Sequence, residues 1–428
     1  MKNLTLRQSI NYLAIFIIFS GGLTLYDYLP FADLRISYLI MAFVLLLCIP
    51  FLKGIYFNKA FLFLLGIIII FSLYNVYIGK DTFVLLTKQI IGIFSTSLIF
   101  YLLMKVNKYD VKKMFKVYLN LAVLVGLIGL FQELSYLLGF KIGYDFSYIF
   151  PSWTLYLSET GFLQINSIMP EPAAFCYVMM PAFFVALTSF SKSNFKFLNK
   201  WKSLIIVSSV FFSFSLVGYI GIIFSLALLF YNYTKIRYLV IGTVLIVVII
   251  FFAYTYIGDI KMRVDDSINV LTGKISLYSA NLSTFTLFSN ALVAYESFKD
   301  NPVFGSGLGS HEISYNRYIG KVVDIGKVRM FLNVQDANSL FLRLLSETGL
   351  FGLLLIFYFI FKFHVLKKND RSGYLWLISN AILAMFVIRL LRSGHYFDGG
   401  FFFFFWIYYF ASKLNRSEKN KLEEDLNK

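Results

Sequence analysis

The sequence predicts an all-α polytopic membrane protein with about 12 transmembrane helices, and three observations predict it. First, 59% of the 428 residues are hydrophobic and only 14% are charged, and mean hydropathy is +0.73. That is more apolar surface than a soluble chain of this length can hide. Second, apolar runs recur from end to end, and about 20 apolar residues suffice to cross a bilayer as a helix. Third, the runs are continuous rather than alternating, which excludes a β-barrel. The net charge of +16 would suit nucleic acid. Here, however, the cations sit in short loops between apolar runs, which is an orientation signal, and no nucleic-acid partner is expected.

The apolar segments fall at 10–29, 36–52, 60–78, 83–104, 117–139, 172–190, 203–214, 217–232, 239–257, 338–361, 373–391 and 401–412. The first follows Lys2 and Arg7, and no small-residue cleavage site follows it, so it reads as a signal anchor. The gaps alternate in character. "KGIYFNK", "KVNKYDVKKMFK", "SKSNFKFLNKWK", "YTKIR" and "KFHVLKKNDR", with the two termini, hold 24 of the 39 Lys and Arg residues. That bias places these loops and both termini in the cytoplasm. The stretch 203–232 has basic loops on both sides and must therefore go out and return. It is short for two crossings, so two short or tilted helices broken at "SFSLVG", or a re-entrant hairpin, are expected there. Such a break is tolerated only inside protein or against a wet cavity.

The opposite face carries the longer loops, 140–171 and a large one at 258–337 between late helices. The second contains an amphipathic stretch near 281–298, read as a helix on the membrane or capping the bundle. Large ordered loops on that face suggest that the work is done there. No internal repeat of a two-fold transporter is evident. The chain reads as a single transmembrane domain, 1–428, whose tail, 413–428, is cytoplasmic and solvated. Cys48 and Cys176 both lie in apolar runs and read as core residues.

The candidate chemistry gathers at the outer mouth. In "MPEPAAFCYVMMP", Pro172 suits the first turn of a helix. Glu171 then sits at the positive end of that helix dipole, as a cap or as a base or cation partner. In "VIRLLRSGHYFDGG", Arg389 and Arg392 are three apart and share a helix face, and His395 follows where the helix should break. Arginine beside hydrocarbon either snorkels to headgroups or faces a cavity. In "DANSLFLRLLSETGLFG", Arg343 lies a turn and a half into a crossing. Glu347 at i+4 is placed to neutralise it, and Asp336 and Asn338 are placed to cap the helix. The loop "KDNPVFGSGLGSHEISYNRY" adds His311, with Arg263 elsewhere on the same face, and Tyr396 follows His395. Its glycine run is no phosphate loop, since no strand precedes it and no Gly-Lys-Ser/Thr follows. There is no zinc or Walker motif and no Asp-x-Asp motif, and "VDDS" at 264–267 lacks further ligands. No metal site and no cofactor are expected.

Arginines around an outward cavity suit a diphosphate, which guanidinium forks bind bidentately. A carboxylate or imidazole beside them suits proton abstraction from a hydroxyl. Together they suit attack of a sugar hydroxyl on an anomeric carbon with a lipid diphosphate leaving. "NPVFGSGLGS" followed by "DANSLFLRLLSETGLFGLLL" resembles the signature of the O-antigen ligase/polymerase superfamily. Asn338, Leu342, Glu347 and Gly349 fit its helix-entry motif, whereas Ala337 stands where that motif has histidine. "SIMPEPAAF", "SFSLVGYIG" and "LLRSGHY" are similar to stretches of Wzy-type polysaccharide polymerases. The first 160 residues add only topology.

The resemblance implies a GT-C-like glycosyltransferase in a bacterial cytoplasmic (inner) membrane. It would move a growing O-antigen or capsular glycan from undecaprenyl diphosphate to a lipid-linked repeat unit. Arg389, Arg392 and Arg343 would hold the diphosphate, and Glu171 or His395 would orient or deprotonate the acceptor. Membrane lipid and a chain-length regulator are the further candidate partners. A ligase is the nearest alternative, and a lipid-linked oligosaccharide flippase or other transporter the alternative of a different class.

Overall fold

The computed structural model describes residues 6–26, 34–51, 57–158, 161–190, 195–232, 236–323 and 332–426. Among them lie sixteen α-helices: α1 (Leu6–Phe16), α2 (Ile36–Cys48), α3 (Lys59–Tyr77), α4 (Phe83–Val106), α5 (Val111–Leu137), α6 (Lys141–Tyr144), α7 (Pro172–Ser189), α8 (Lys200–Phe211), α9 (Leu216–Asn232), α10 (Ile236–Tyr256), α11 (Gly258–Leu271), α12 (Leu282–Asp300), α13 (His311–Val322), α14 (Leu340–Phe363), α15 (Leu375–Arg392) and α16 (Phe401–Leu426). Each apolar segment of the sequence contains a helix among the described residues, and the protein is an all-α polytopic membrane protein. Helices α3, α4, α5, α7, α14 and α15 are long and apolar enough to cross a membrane unaided. The first segment is shorter than its apolar run. Its helix closes with a 3-10 turn at Ile17–Phe19, and a small antiparallel ribbon, β1 (Thr24–Tyr26) on β2 (Leu34–Arg35), follows. The Gly21-Gly22 pair ends it, because the chain there runs against the 168–170 backbone, where a Cβ on Gly22 would lie 2.6 Å from Ile168 O.

Helices α7 and α15 pack along each other at the centre, each 78% buried, whereas α3 is only 11% buried and belongs to the rim. Pro181 lies inside α7, where it removes an N–H and crowds the preceding turn. Tyr118 of α5 repairs the damage. Its hydroxyl donates to Val178 O (2.6 Å) and accepts from Ala182 N (3.1 Å), bridging the opened ladder. Tyr118→Phe is expected to leave both groups buried and unpaired and to cost about 1–3 kcal/mol. A lower melting temperature of the purified variant in detergent would register it, and an unchanged one would show that the bridge is dispensable.

The 203–232 stretch is the broken pair, α8 and α9, with Phe214 at φ +46° between them. In 258–337, α11, α12 and α13 form a lobe with a small core around Phe285, Val293 and Tyr315, and α12 packs on α13 and α14 rather than lying alone.

The glycine run docks this lobe. Ser306 N and Gly307 N donate to Ser346 O and Glu347 O (3.0 and 2.9 Å), and Leu350 N and Phe351 N donate back to Pro302 O and Val303 O (both 2.9 Å). The exchange requires a kink in α14 at Gly349, φ +59° and ψ −151°. The two motifs that travel together in the sequence are therefore one joint.

The same loop seats against the turn between α3 and α4. Asp81 Oδ1 accepts from Thr82 N (2.7 Å), Oδ2 is buried with no hydrogen-bond partner, and a Cβ on Gly307 would lie 2.8 Å from it. Burial, partly offset by the Thr82 amide and reinforced by the Glu347 carboxylate, pushes Asp81 up to about 7. An unfolded aspartate titrates near roughly 3.9. The folded protein holds this proton more tightly, so the contribution of Asp81 to stability is fully present below about pH 4 and is lost as pH rises through about 7. Asp81→Asn is expected to flatten that dependence, raising the melting temperature at pH 8 and not at pH 5. Parallel melting curves for both proteins across this range would refute the assignment.

Candidate active site at the mouth of the bundle

A cavity of about 620 Å³ opens at the end of the bundle that carries the lobe. The N-terminal ends of α2, α7, α9 and α12 reach it through Arg35 and Ser37, Glu171 and Pro172, Ser215 and Val217, and Leu282 and Ser283. Positive dipole ends around a cavity favour an anionic occupant. The helix break thus contributes directly, since Phe214 and Ser215 line the cavity. From the expected residues the fold brings together Glu171, His395, Arg392, Arg389, Asp336, Asn338 and Arg263.

Glu171 is the N-cap residue of α7, yet its side chain bonds no first-turn amide. The carboxylate is open into the cavity while protein surrounds the cavity closely. Burial raises its pKa, the nearby Asp336 carboxylate raises it further, and Arg392 and His395 pull partly the other way. His395 lies between two carboxylates, with Nε2 3.4 Å from Asp336 Oδ2 and Nδ1 3.8 Å from Asp398 Oδ2. Asp398 pairs in turn with Arg35 (3.3 Å). Burial alone would raise Asp398, but the charges of His395, Arg35 and Arg389 outweigh it and hold the carboxyl below its ordinary value.

The two arginines of α15 differ. Arg389 is fully buried, and its Nη1 and Nη2 donate to Asp398 O (2.5 Å) and His395 O (2.6 Å). Two of its donor nitrogens clamp the turn that carries His395, while its Nε is buried without a hydrogen-bond partner. Arg392 is half-buried, donates through Nη2 to Ser283 (2.7 Å), and its carbonyl accepts from Tyr177 (2.6 Å).

Arg343, Tyr396 and His311 stand apart from the cavity wall. Arg343 Nε donates to Glu347 Oε1 (2.9 Å), both side chains being buried, and Nη1 donates to Gly394 O (3.1 Å). Tyr396 donates to Glu347 Oε2 (2.8 Å) with its ring 4.2 Å from the guanidinium. The i+4 carboxylate thus pairs with the arginine as helix spacing predicted, and Arg343 is not among the residues that line the cavity. His311 is fully buried with Nε2 3.0 Å from Asn290 Oδ1. Burial, with the Arg343 cation adding and Asp336 opposing, pushes it down to about 3, so at neutral pH it is an uncharged core residue.

The wall at 336–338 is strained. Ala337 and Asn338 both adopt left-handed φ, +55° and +58°, and Asp336 O lies where a Cβ on Gly394 would be. The cap of α14 is Ser339, which accepts from Leu342 N (3.2 Å), rather than Asp336 or Asn338. Asp336 Oδ1 accepts from Asn338 N instead (3.1 Å), and Asn338 Nδ2 is buried at the cavity without a protein partner.

Residues 202–357 match the O-antigen ligase (Wzy_C) family model. The match covers the glycine loop, the kinked entry of α14 and the α8–α9 break, and it supports the ligase/polymerase superfamily without separating ligases from polymerases. No curated protein matches the chain. Within the Wzy_C segment lie Arg263, Asp336 and Asn338, while Glu171, Arg392, His395 and Arg35 lie outside it.

Sequence reasoning missed Arg35 and Asp398, and it read the first 160 residues as topology alone. In fact Ile17, Arg35, Met41 and Phe100 line the cavity beside the Wzy_C segment. A signal for Arg35 existed: it is a cation in a short gap on the face that the charge bias leaves poor in cations. Asp398 carried none, because its partner is 363 positions away.

Proposed function

We propose that the protein transfers a glycan from a polyprenyl-diphosphate carrier to an acceptor hydroxyl, acting as a polysaccharide polymerase at the outer face of a bacterial cytoplasmic membrane. One observation carries this reading: a single cavity joins Arg392, four helix N-termini, an open carboxylate at Glu171, and apolar surface from Ile17, Met41 and Phe100. Arg392 takes the diphosphate, and Arg35 and Arg263 are further cations of the cavity lining. Glu171 accepts the proton of the acceptor hydroxyl, and its raised pKa makes it the stronger base. The acceptor oxygen bonds to the anomeric carbon as the bond from that carbon to the diphosphate oxygen breaks. The charge left on the diphosphate is met by Arg392 and the helix dipoles. His395, between Asp336 and Asp398, orients the groups around the base.

A ligase is the second reading, favoured by the description of the matching family. Reconstitution with undecaprenyl-diphosphate repeat unit as the substrate tests both. A ladder spaced by one repeat supports the polymerase, and product only after a second acceptor is added supports the ligase. No transfer in either case, with lipid movement between leaflets, overturns both in favour of a transporter.

A further inference from the structure

The segment that carries Glu171 also contributes a hairpin that the transfer step leaves unused. Tyr156 O accepts from Gln164 N (2.9 Å), and Leu157 bridges Leu163 in antiparallel register, so Tyr156 and Gln164 are cross-strand neighbours. Both residues line the cavity. The hairpin is held firmly. Asn166, itself buried, donates through Nδ2 to Thr154 O (3.0 Å) and Met169 O (3.1 Å), Trp153 Nε1 donates to Ser167 O (2.8 Å), and Ser167 N donates to Gln132 Oε1 (2.7 Å). Thr154 N also donates to Pro170 O (3.4 Å), so a backbone bond ties the start of the hairpin to the residue before the base.

We infer that this hairpin is the saccharide-recognition wall of the cavity, with the Tyr156 ring and the Gln164 amide touching the sugar that is transferred or extended. The inference rests on the transfer reading. A sugar presents C–H faces and pairs of hydroxyls. An aromatic ring covers the first, and an amide, which both donates and accepts, serves the second. Neither side chain carries the charge that a diphosphate needs. The Gln164 amide is only loosely held, its Nε2 lying 3.4 Å from Leu157 O, and is half-buried at the cavity. Preorganised polar groups of this kind fix orientation and give specificity to a pocket otherwise lined by apolar side chains.

The test uses the full-length protein in nanodiscs and two probes. One is the oligosaccharide released by mild acid from the producing cell's own polyprenyl-diphosphate glycolipids, and the other is undecaprenyl diphosphate. Tyr156→Ala and Gln164→Ala are each expected to weaken saccharide binding about tenfold or more, the loss of one good polar or stacking contact. Tyr156→Phe should keep most of it. Undecaprenyl diphosphate should bind all variants as it binds wild type. Saccharide binding unchanged in both alanine variants would overturn the inference and leave the transfer reading standing. So would loss of both probes together, since that marks a collapsed cavity rather than a saccharide wall. A wild-type protein that binds no undecaprenyl diphosphate would remove the transfer reading itself and the inference with it.

Discussion

Arg392→Ala membranes should make no long glycan while holding as much folded protein as wild type. Of the three arginines expected to hold the diphosphate, Arg343 is paired with Glu347 and Arg389 donates to two backbone carbonyls. Among the described residues, the Arg392 guanidinium is tied through Nη2 to a serine hydroxyl of the cavity lining, a bond that a phosphate oxygen can replace. Loss of one preorganised donor to developing charge costs about 10²–10³ in rate. Arg392→Lys keeps the charge but not the planar fork, and an intermediate rate is expected. The measurement is single-turnover transfer in proteoliposomes, with melting temperature as the control. A wild-type rate in Arg392→Ala would remove this residue from the diphosphate site. By contrast, Arg389→Ala should lower melting temperature as well as rate, because it releases the turn bearing His395.

Gly349→Ala is expected to have the largest effect on folding. The backbone there, φ +59° and ψ −151°, is open essentially to glycine alone, and forcing another residue into it costs about 1–3 kcal/mol. A Cβ would also lie 2.7 Å from both Pro302 O and Val303 O, so the joint would have to part or distort for about 1–3 kcal/mol more. Against a total stability of about 5–15 kcal/mol, the sum is large. The variant should be recovered in low yield, with the lobe of α11–α13 cleaved faster by added protease than in wild type. Normal yield and normal protease resistance would show that α14 and the glycine loop can part without consequence.

The helices were legible because each apolar run specifies its own partition into the membrane. The α8–α9 break was legible for a related reason, since thirty residues between two basic loops leave no other economical path. The i+4 pairing of Arg343 with Glu347 could be read directly from helix geometry. Glu171, Arg392 and His395 were visible as rare polar groups beside hydrocarbon. Three positions alone, however, could not say which α15 arginine clamps the following turn and which meets a serine across the cavity. Nor could spacing show that His311 is buried against Asn290, or that the strained turn at 336–338 leaves an unpartnered Asn338 amide at the wall.

By itself, then, the sequence determined the membrane class, the order of the helices, and which rare polar groups lie beside hydrocarbon. Hydropathy and charge act on each segment locally, and local information is enough for those decisions. Only the tertiary structure decided which charges are free to act. Arg35 meets Asp398 across 363 positions, and Arg389 is consumed by carbonyls that reach it only when the turn folds back. A buried cation takes whatever oxygen the packing brings within hydrogen-bonding distance, because leaving it unpaired is costly, and that oxygen can come from anywhere in the chain.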